Sequence, residues 1–133
     1  MRNAEELMQL AVVEADRSWS PYSRFRVAAV LEDESGALFT GVNVENASYG
    51  LTICAERAAV VSAVSAGSRS FRRILVYSPD GEAIPCGACR QVLAEFCGED
   101  FRVIVASPGG TREYALGDLL PAAFRIRRDD GGT

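Results

Sequence analysis

Four cysteines and one glutamate are the residues whose types and spacing point to chemistry in this 133-residue sequence. Cys86 and Cys89 stand three positions apart in PCGACRQ, while Cys54 precedes Glu56 in TICAERAA. Positions i and i+3 share one face of a helical turn, so the two thiolates of PCGACRQ can reach one metal ion. With Cys54 as a third ligand, a zinc ion would keep one coordination position open, as in catalytic rather than closed structural zinc sites.

The fourth cysteine, Cys97, is predicted to be a core residue. On an intact helix it would lie about 12 Å along the axis from Cys89, whereas a Zn–S bond is about 2.3 Å long. Its spacing from Val92, Leu93 and Phe96 indicates packing among apolar side chains.

Glu56 and Arg57 interrupt the apolar run that follows Cys54. If Cys54 precedes the helix proper, Glu56 stands beside the open zinc position, where a carboxylate can act as general acid and base. The alternative for Glu56 is an exposed surface position. Arg57 follows Cys54 by three residues and can donate hydrogen bonds to the thiolates and offset their charge. Its alternative is a salt bridge with Glu56 or another acid.

A CxxC pair alone also occurs in redox proteins and in structural zinc sites. A redox pair needs no third cysteine, however, and a structural zinc needs no carboxylate two residues from a ligand. The sequence contains no histidine, which rules out a Ser-His-Asp triad. A catalytic zinc held by three thiolates is therefore the favoured interpretation.

The composition predicts a single cytoplasmic domain, residues 1–133, that acts on a small molecule. The length is that of one domain, and 48% apolar residues suffice for a core. A net charge of −4 argues against nucleic-acid binding. We expect no membrane association either, because the sequence has no run of 18 apolar residues and its N-terminus lacks the pattern of a signal peptide.

The apolar periodicity predicts an α/β fold in which a mixed sheet of about five strands carries helices on both faces. The first helix should begin with a capping box formed by Asn3 and Glu6 and run to about Trp19. The second, from Cys54 to Ala66, should end at Gly67 and be buried on most faces, in part against other subunits, because it is apolar nearly all round. The remaining predicted elements are strands at 25–33, 37–45, 73–78, 102–107 and 112–116, a helix at 86–97, a helical turn at 117–124 and a frayed tail from about 126 to 133.

Several motifs together resemble those of the cytidine deaminase family. CAER followed by PCGACRQ is similar to the family's small, three-cysteine zinc form, and WSPYSRFRVAA, TGVNVENASYG and LLPAAF resemble its substrate-binding segments in the expected order. The similarity covers residues 5–124. It implies a three-layer α/β/α sandwich in a homotetramer with shared active sites, and one zinc per subunit held by Cys54, Cys86 and Cys89.

The resemblance also implies the reaction. Water adds at C4 of cytosine, while Glu56 first protonates N3 and then assists the departure of ammonia. Cytidine and deoxycytidine would thus become uridine and deoxyuridine, a step of pyrimidine salvage.

Substrate contacts are implied in the same way. Asn43 and Glu45 match the family's ribose-binding pair, and positions i and i+2 of an extended segment share a face. Phe25 matches an aromatic that packs against the pyrimidine, and the backbone around Ala55 would read the base edge.

Tyr49 and Phe124 match residues that reach the pocket of a neighbouring subunit. The alternative for both of them, and for Phe25, is an ordinary place in the core.

The sequence departs from the family pattern at three positions. Arg26 stands where proline is frequent, and Ala28 and Ala122 stand where glycine is frequent. Because of these departures, the sequence does not predict whether the site tolerates bulky groups on the base.

Three alternative functions compete with cytidine deamination. One is deamination of another aminopyrimidine nucleoside such as blasticidin S, against which the ribose-type segment NVEN argues. Another is a non-catalytic zinc or redox protein, which would have no need of Glu56. The third, editing of RNA or DNA, is disfavoured by the acidic charge.

Overall fold

The computed structural model describes residues 3–126, and the predicted frayed tail lies outside the described residues from residue 127 onward. The helices and strands are α1 (Ala4–Ala15), β1 (Ala28–Asp33), β2 (Leu38–Val42), α2 (Ala55–Ser65), β3 (Phe71–Tyr77), α3 (Gly87–Phe96), β4 (Arg102–Ser107), β5 (Gly110–Ala115) and α4 (Leu116–Leu119), with a 3₁₀ turn at Tyr49–Leu51. The strands form one sheet in the order β2-β1-β3-β4-β5. Only β3 and β4 run parallel, and the other neighbouring pairs are antiparallel.

Helices cover both faces of this sheet because successive strand residues point to opposite sides. α1 packs on one face, over a cluster that includes Val30 and Leu75. The helices α2 and α3 pack on the other face, over Leu31 and Val76. The predicted α/β fold with a mixed five-stranded sheet is confirmed. Cys97 lies in the core beneath α3, as predicted, with 3% of its surface exposed.

The first helix is shorter than predicted. Asn3 and Glu6 form the expected capping box, but the helix ends at Ala15 rather than near Trp19. The backbone of Trp19 instead pairs with the segment that follows β2: its N–H donates to the carbonyl of Asn43 at 3.0 Å, and its carbonyl accepts from Glu45 at 2.8 Å. These bonds draw the chain out of the helix toward the extended segment at 43–45.

In the single chain, the second helix is buried on the side that faces the sheet, while part of its outer side is exposed. Ala55, Ala59 and Ala63 of α2 are fully buried against the sheet, but Val61 on the outer side is 63% exposed. A sheet face covers only one side of a helix, so an apolar outer side remains free for contact with another molecule.

Both strands of the N-terminal hairpin are shorter than predicted at the same end of the sheet, since β1 begins later and β2 ends earlier. β1 begins at Ala28 and β2 ends at Val42. The residues beyond them leave the sheet: Val44 bridges to Ile53 instead, in the segment that leads into α2. These segments surround the start of α2. Within residues 3–126, no helix has both the length and the apolar character that crossing a bilayer requires.

Candidate active site

Three cysteines converge where two helices begin. Cys54 is the N-cap residue of α2 and Cys86 the N-cap residue of α3, and both have extended backbone conformations. Cys89 lies one turn into α3 and is fully buried. The sulfur atoms of all three lie within 4.8 Å of one another. Helix N-termini carry free N–H groups and positive partial charge, which favour thiolates at these positions.

The donor set fits a zinc ion. Two Zn–S bonds of about 2.3 Å at a tetrahedral angle separate their sulfurs by about 3.8 Å, and the sulfurs of Cys86 and Cys89 are 3.5 Å apart. Thiolates are preferred zinc ligands, and three of them leave one tetrahedral position for water or substrate. Among residues 3–126, this is the only group of three cysteine or carboxylate side chains with such spacing.

The cluster lowers the pKa of one thiol. Hydrogen bonding from Cys89, followed by that from Arg57, lowers the pKa of Cys54 to about 5. The reciprocal bond to Cys54, together with burial, raises the pKa of the Cys89 thiol. The lowered pKa favours the thiolate form of Cys54, which is the form that binds a metal, and metal binding would displace the protons of the other thiols.

Glu56 lies beside the cysteines in the first turn of α2. Its side chain is buried, with 5% exposed, so the alternative of an exposed surface glutamate is wrong. Burial raises the pKa of Glu56 to about 7. A carboxyl group with such a pKa can both accept and donate a proton near neutral pH, which suits general acid–base catalysis.

Arg57 contacts the cluster from the next position of α2. Its Nη2 lies 3.8 Å from the sulfur of Cys54 and donates to the carbonyl of Thr52 at 3.1 Å. The first of these bonds raises the pKa of Arg57. Arg57 forms no ion pair with an acid anywhere in the described part of the chain. The guanidinium therefore faces the thiolates rather than Glu56.

A cleft opens over this cluster. It contains the predicted base contacts Phe25 and Ala55 together with two of the three cysteines and Glu56. Its lining comprises Phe25, Val27, Asn43, Thr52, Cys54, Ala55, Glu56, Glu82, Ala83, Ile84 and Cys86. The cleft therefore brings an aromatic face, an apolar wall and a buried carboxyl group to one place, which suits a flat polar ring.

Asn43 holds the Phe25 segment in place. Its Oδ1 accepts from the N–H of Val27 at 3.0 Å and from the hydroxyl of Ser18, and its Nδ2 donates to the carbonyl of Phe25 at 2.8 Å. An amide nitrogen carries two hydrogens, so one remains for a ligand in the cleft. Asn43 thus has a positioning contact that the sequence did not reveal.

Glu45 lies in an adjoining cleft that shares Thr52 with the first, and Tyr22, Ser23 and Tyr49 complete that lining. The carboxylate accepts from the N–H groups of Tyr22 at 3.0 Å and Ser23 at 3.1 Å, and also from the Ser23 hydroxyl. These bonds, that from the hydroxyl above all, lower the pKa of Glu45. Glu45 is therefore a fixed anion, able to accept hydrogen bonds from hydroxyl groups.

The side chains of Tyr49 and Phe124 lie on the surface of the chain. Tyr49 is 75% and Phe124 70% exposed, so the core alternative is wrong for both. The ring of Tyr49 packs edge-on against that of Tyr22. Phe124 stands outside both clefts of its own chain, and its carbonyl accepts from Gln91 at 2.7 Å.

Sequence reasoning missed three polar side chains around the clefts. Ser18, Ser23 and Thr52 either fix Asn43 and Glu45 or line the clefts. Their signal was present: hydroxyl residues concentrate in the loop before Phe25 and in the segment before Cys54. Loop hydroxyls also form ordinary turns, so composition alone did not identify these roles.

The departures from the family pattern have defined places. Ala122 has φ +52°, the left-handed region that glycine adopts without strain. Ala28 is fully buried beneath α1. Arg26 is paired with Asp80 and follows Phe25, which lines the cleft.

Comparisons with known proteins agree with this geometry. The family described as the cytidine and deoxycytidylate deaminase zinc-binding region matches residues 1–106. A cytidine deaminase of Sporosarcina psychrophila is 41% identical over 124 residues, 92% of this chain and 91% of that protein. A probable cytidine deaminase of Dictyostelium discoideum is 51% identical over 107 residues, 78% of this chain and 71% of that protein.

A crystal structure of cytidine deaminase from Burkholderia pseudomallei has a TM-score of 0.87 at 42% identity, covering 92% of this chain and 100% of that one. A crystal structure of the Mycobacterium tuberculosis cytidine deaminase has a TM-score of 0.81 at 39% identity, covering 95% and 100%. The likeness thus extends across the fold as well as the cysteine motifs. The chain belongs to the cytidine and deoxycytidylate deaminase family of zinc-binding proteins.

Proposed function

We propose that this protein is a zinc-dependent hydrolase that converts cytidine and deoxycytidine to uridine and deoxyuridine with release of ammonia. The observation that carries this proposal is the position of Glu56, buried beside three clustered cysteines in a cleft that also contains Phe25. A structural zinc site or a redox pair would have no use for a buried carboxyl group there.

Cys54, Cys86 and Cys89 would hold one zinc ion per chain. Zinc, when bound, supplies Lewis-acid activation of water. Arg57 offsets the negative charge of the thiolates, which would otherwise weaken that activation, through its bond to Cys54.

Glu56 moves the protons of the reaction. In each turnover one water is added at C4 of the base and one ammonia leaves. The carboxylate takes a proton from the water and delivers it to N3, then passes the second proton to the departing amino group. Its pKa of about 7 makes both directions of transfer accessible at neutral pH.

The remaining cleft residues bind and orient the nucleoside. Phe25 packs against the pyrimidine, and the backbone at Ala55 reads the base edge at the first turn of α2. Asn43 and Glu45 bond the sugar hydroxyls: the amide donates its remaining hydrogen, and the ionised carboxylate accepts. The cleft's apolar wall excludes water from the base.

The active unit is a homotetramer with shared sites. Exposed aromatic side chains at Tyr49 and Phe124, and the apolar outer side of α2 at Val61, support contacts between subunits. The chain acts as one catalytic domain in the cytoplasm, where its four free cysteines would stay reduced.

Incubation of the zinc-loaded protein with cytidine, deoxycytidine and blasticidin S tests the function. We expect loss of the cytosine absorbance band and one ammonia per nucleoside with the first two substrates. Turnover of blasticidin S in preference to both would favour the antibiotic alternative. No ammonia from any of the three would contradict the proposal and leave a non-catalytic zinc protein as the better account.

A further inference from the structure

The loop at 79–85 forms one wall of the cleft and leads directly into the cysteine cluster. It joins β3 to α3, and its residues Glu82, Ala83 and Ile84 line the cleft just before Cys86. The position of this loop therefore sets the width of the cleft.

The loop is fastened near its start by Arg26. The carboxylate of Asp80 accepts three hydrogen bonds from this one residue: from the backbone N–H at 2.8 Å, from Nε at 3.0 Å and from Nη2 at 2.8 Å. The N–H of Asp80 donates to the buried hydroxyl of Ser78 at 3.1 Å. A bidentate arginine–carboxylate pair fixes geometry far better than a single ionic contact.

The opposite end of the loop is fastened independently. Nε of Arg90 in α3 donates to the carbonyl of Pro85 at 2.7 Å. The three residues that line the cleft lie between these two attachments, and of the three only Glu82 has a further tether among the described residues, an exposed ion pair of 3.5 Å with Arg112 of β5. Within residues 3–126, the bonds between Arg26 and Asp80 are the only hydrogen bonds that join the loop to the Phe25 segment.

The aromatic face of the cleft depends on the same attachment. Phe25 directly precedes Arg26, and Gly81 directly follows Asp80. The Phe25 ring lies so close to Gly81 that a Cβ there would be 3.1 Å from Cε2. The paired residues therefore hold the ring of Phe25 and the loop backbone at a fixed separation.

We propose that the Arg26–Asp80 pair is a positioning device that sets the width of the base-binding cleft and thereby the KM for the nucleoside and the discrimination against bulky bases. This rests on the proposed function, because it assigns the base to this cleft. Neither side chain touches the reacting atoms, so the chemical step should be preserved when the pair is broken.

The three bonds give the variants a definite order. Asp80→Ala removes all three, whereas Arg26→Ala removes only the two from the guanidinium and a longer contact of 3.9 Å to Asp16. We expect Asp80→Ala to raise the KM for cytidine about tenfold and Arg26→Ala by less, with kcat within twofold of the parent. Arg26→Ala should add nothing further in the Asp80→Ala background, because the partners act as a unit.

Selectivity supplies a second kinetic readout. We expect the ratio of kcat/KM for 5-methylcytidine to that for cytidine to rise at least threefold in Asp80→Ala, because a looser wall admits the methyl group. Glu113→Ala is the control, since it breaks an exposed ion pair of 4.0 Å with Arg102 on β4 and β5, away from the cleft. A KM and ratio that match the control, or a loss of kcat and zinc at unchanged KM, would overturn the proposal.

Hydrogen exchange separates this proposal from the proposed function. The backbone amides of the loop at 79–85 should exchange several-fold faster in Asp80→Ala than in the parent or in Glu113→Ala, whether or not the protein deaminates cytidine. A parent without deaminase activity would contradict the function alone. Unchanged exchange in Asp80→Ala would overturn the positioning role even in an active enzyme.

Discussion

Gly41 of β2 and Ala55 of α2 are in direct backbone contact. A Cβ at Gly41 would lie 2.4 Å from the carbonyl oxygen of Ala55, and 2.4 Å from the nitrogen of Ala59. The first turn of α2 therefore rests on the strand with no room for a side chain. Because Cys54 and Glu56 flank Ala55, this contact sets the distance of the Cys54 and Glu56 backbone from the sheet.

Substitution of Gly41 tests how far the site depends on that contact. Gly41→Ala should destabilise the protein by about 3 kcal/mol, at the upper end of overpacking costs, because the clash is with backbone that cannot rotate away. The deaminase activity should fall as well, because the start of α2 must move away from β2 to make room for the added methyl group. Thermal unfolding and kcat/KM measure the two effects.

Gly98→Ala is the matched control for Gly41→Ala. No atom lies within 4 Å of a Cβ at that position. It should leave stability and activity nearly unchanged. If Gly41→Ala were as stable as Gly98→Ala, the close backbone contact between α2 and β2 at Gly41 would be contradicted.

The three clustered cysteines should differ from the fourth in metal binding. Cys54→Ala, Cys86→Ala and Cys89→Ala should each lose zinc, because each removes one of three thiolates. Cys97→Ala should keep its zinc and lose only packing in the core. Elemental analysis of the purified variants measures this, and equal zinc loss from Cys97→Ala and Cys89→Ala would mean that the ligand set is wrong.

Phe124 should matter for substrate binding despite lying outside the clefts of its own chain. In a shared site, Phe124→Ala should mainly raise KM, by an amount equivalent to about 1–3 kcal/mol of lost apolar contact, while zinc is retained. Ile126→Ala, an equally exposed apolar residue two positions later, is the control. Steady-state kinetics separate KM from kcat.

Sedimentation across a dilution series, with activity measured at each concentration, completes the test of Phe124. Activity should fall as the tetramer dissociates. A monomer of about 14 kDa with full activity would contradict the shared site.

Asp33, at the turn between β1 and β2, should make the free energy of unfolding depend on pH. Its carboxylate accepts from the Ser35 hydroxyl at 2.6 Å, the Ser68 hydroxyl at 2.9 Å and the N–H of Ala37 at 2.9 Å. These bonds, that from Ser35 above all, lower the pKa of Asp33 from its ordinary value. The stabilisation is thus fully present above the unfolded pKa and is lost as pH falls through the folded one.

Comparison with Asp33→Asn isolates this contribution. The parent should be more stable by about 1–3 kcal/mol above pH 5, and the difference should shrink below pH 4. Thermal unfolding from pH 3 to pH 7 measures it, with the exposed Asp100→Asn as control. A difference that stays constant down to pH 3 would contradict an ionised, hydrogen-bonded Asp33.

Patterns of local origin in the sequence predicted much of the fold. The Asn3–Glu6 capping box and the glycine that ends α2 both depend on neighbours within a few residues, and Gly67 has the positive φ, +96°, that is typical of such a glycine. The cysteine spacing in PCGACRQ predicted a cluster at a helix start, because the geometry of one helical turn fixes it.

Contacts between distant segments were not predictable in the same way. The helix end at Ala15 depends on bonds from Trp19 to residues 43–45, and the Arg26–Asp80 pair joins positions 54 apart. Nothing near Arg26 in the chain indicates its partner. The place of Gly41 beneath α2 likewise depends on how a helix docks on a strand, which a single sequence does not encode locally.

The most direct test of the account is the turnover of Glu56→Gln against its zinc content. Glutamine preserves the shape of the side chain but cannot carry the proton, so kcat for cytidine should fall by several orders of magnitude while zinc content and nucleoside binding match the parent. Glu5→Gln, an exposed substitution on α1, should leave all three quantities unchanged. A zinc-loaded Glu56→Gln protein that deaminates cytidine within tenfold of the parent rate would contradict the assignment of Glu56 as the acid–base group.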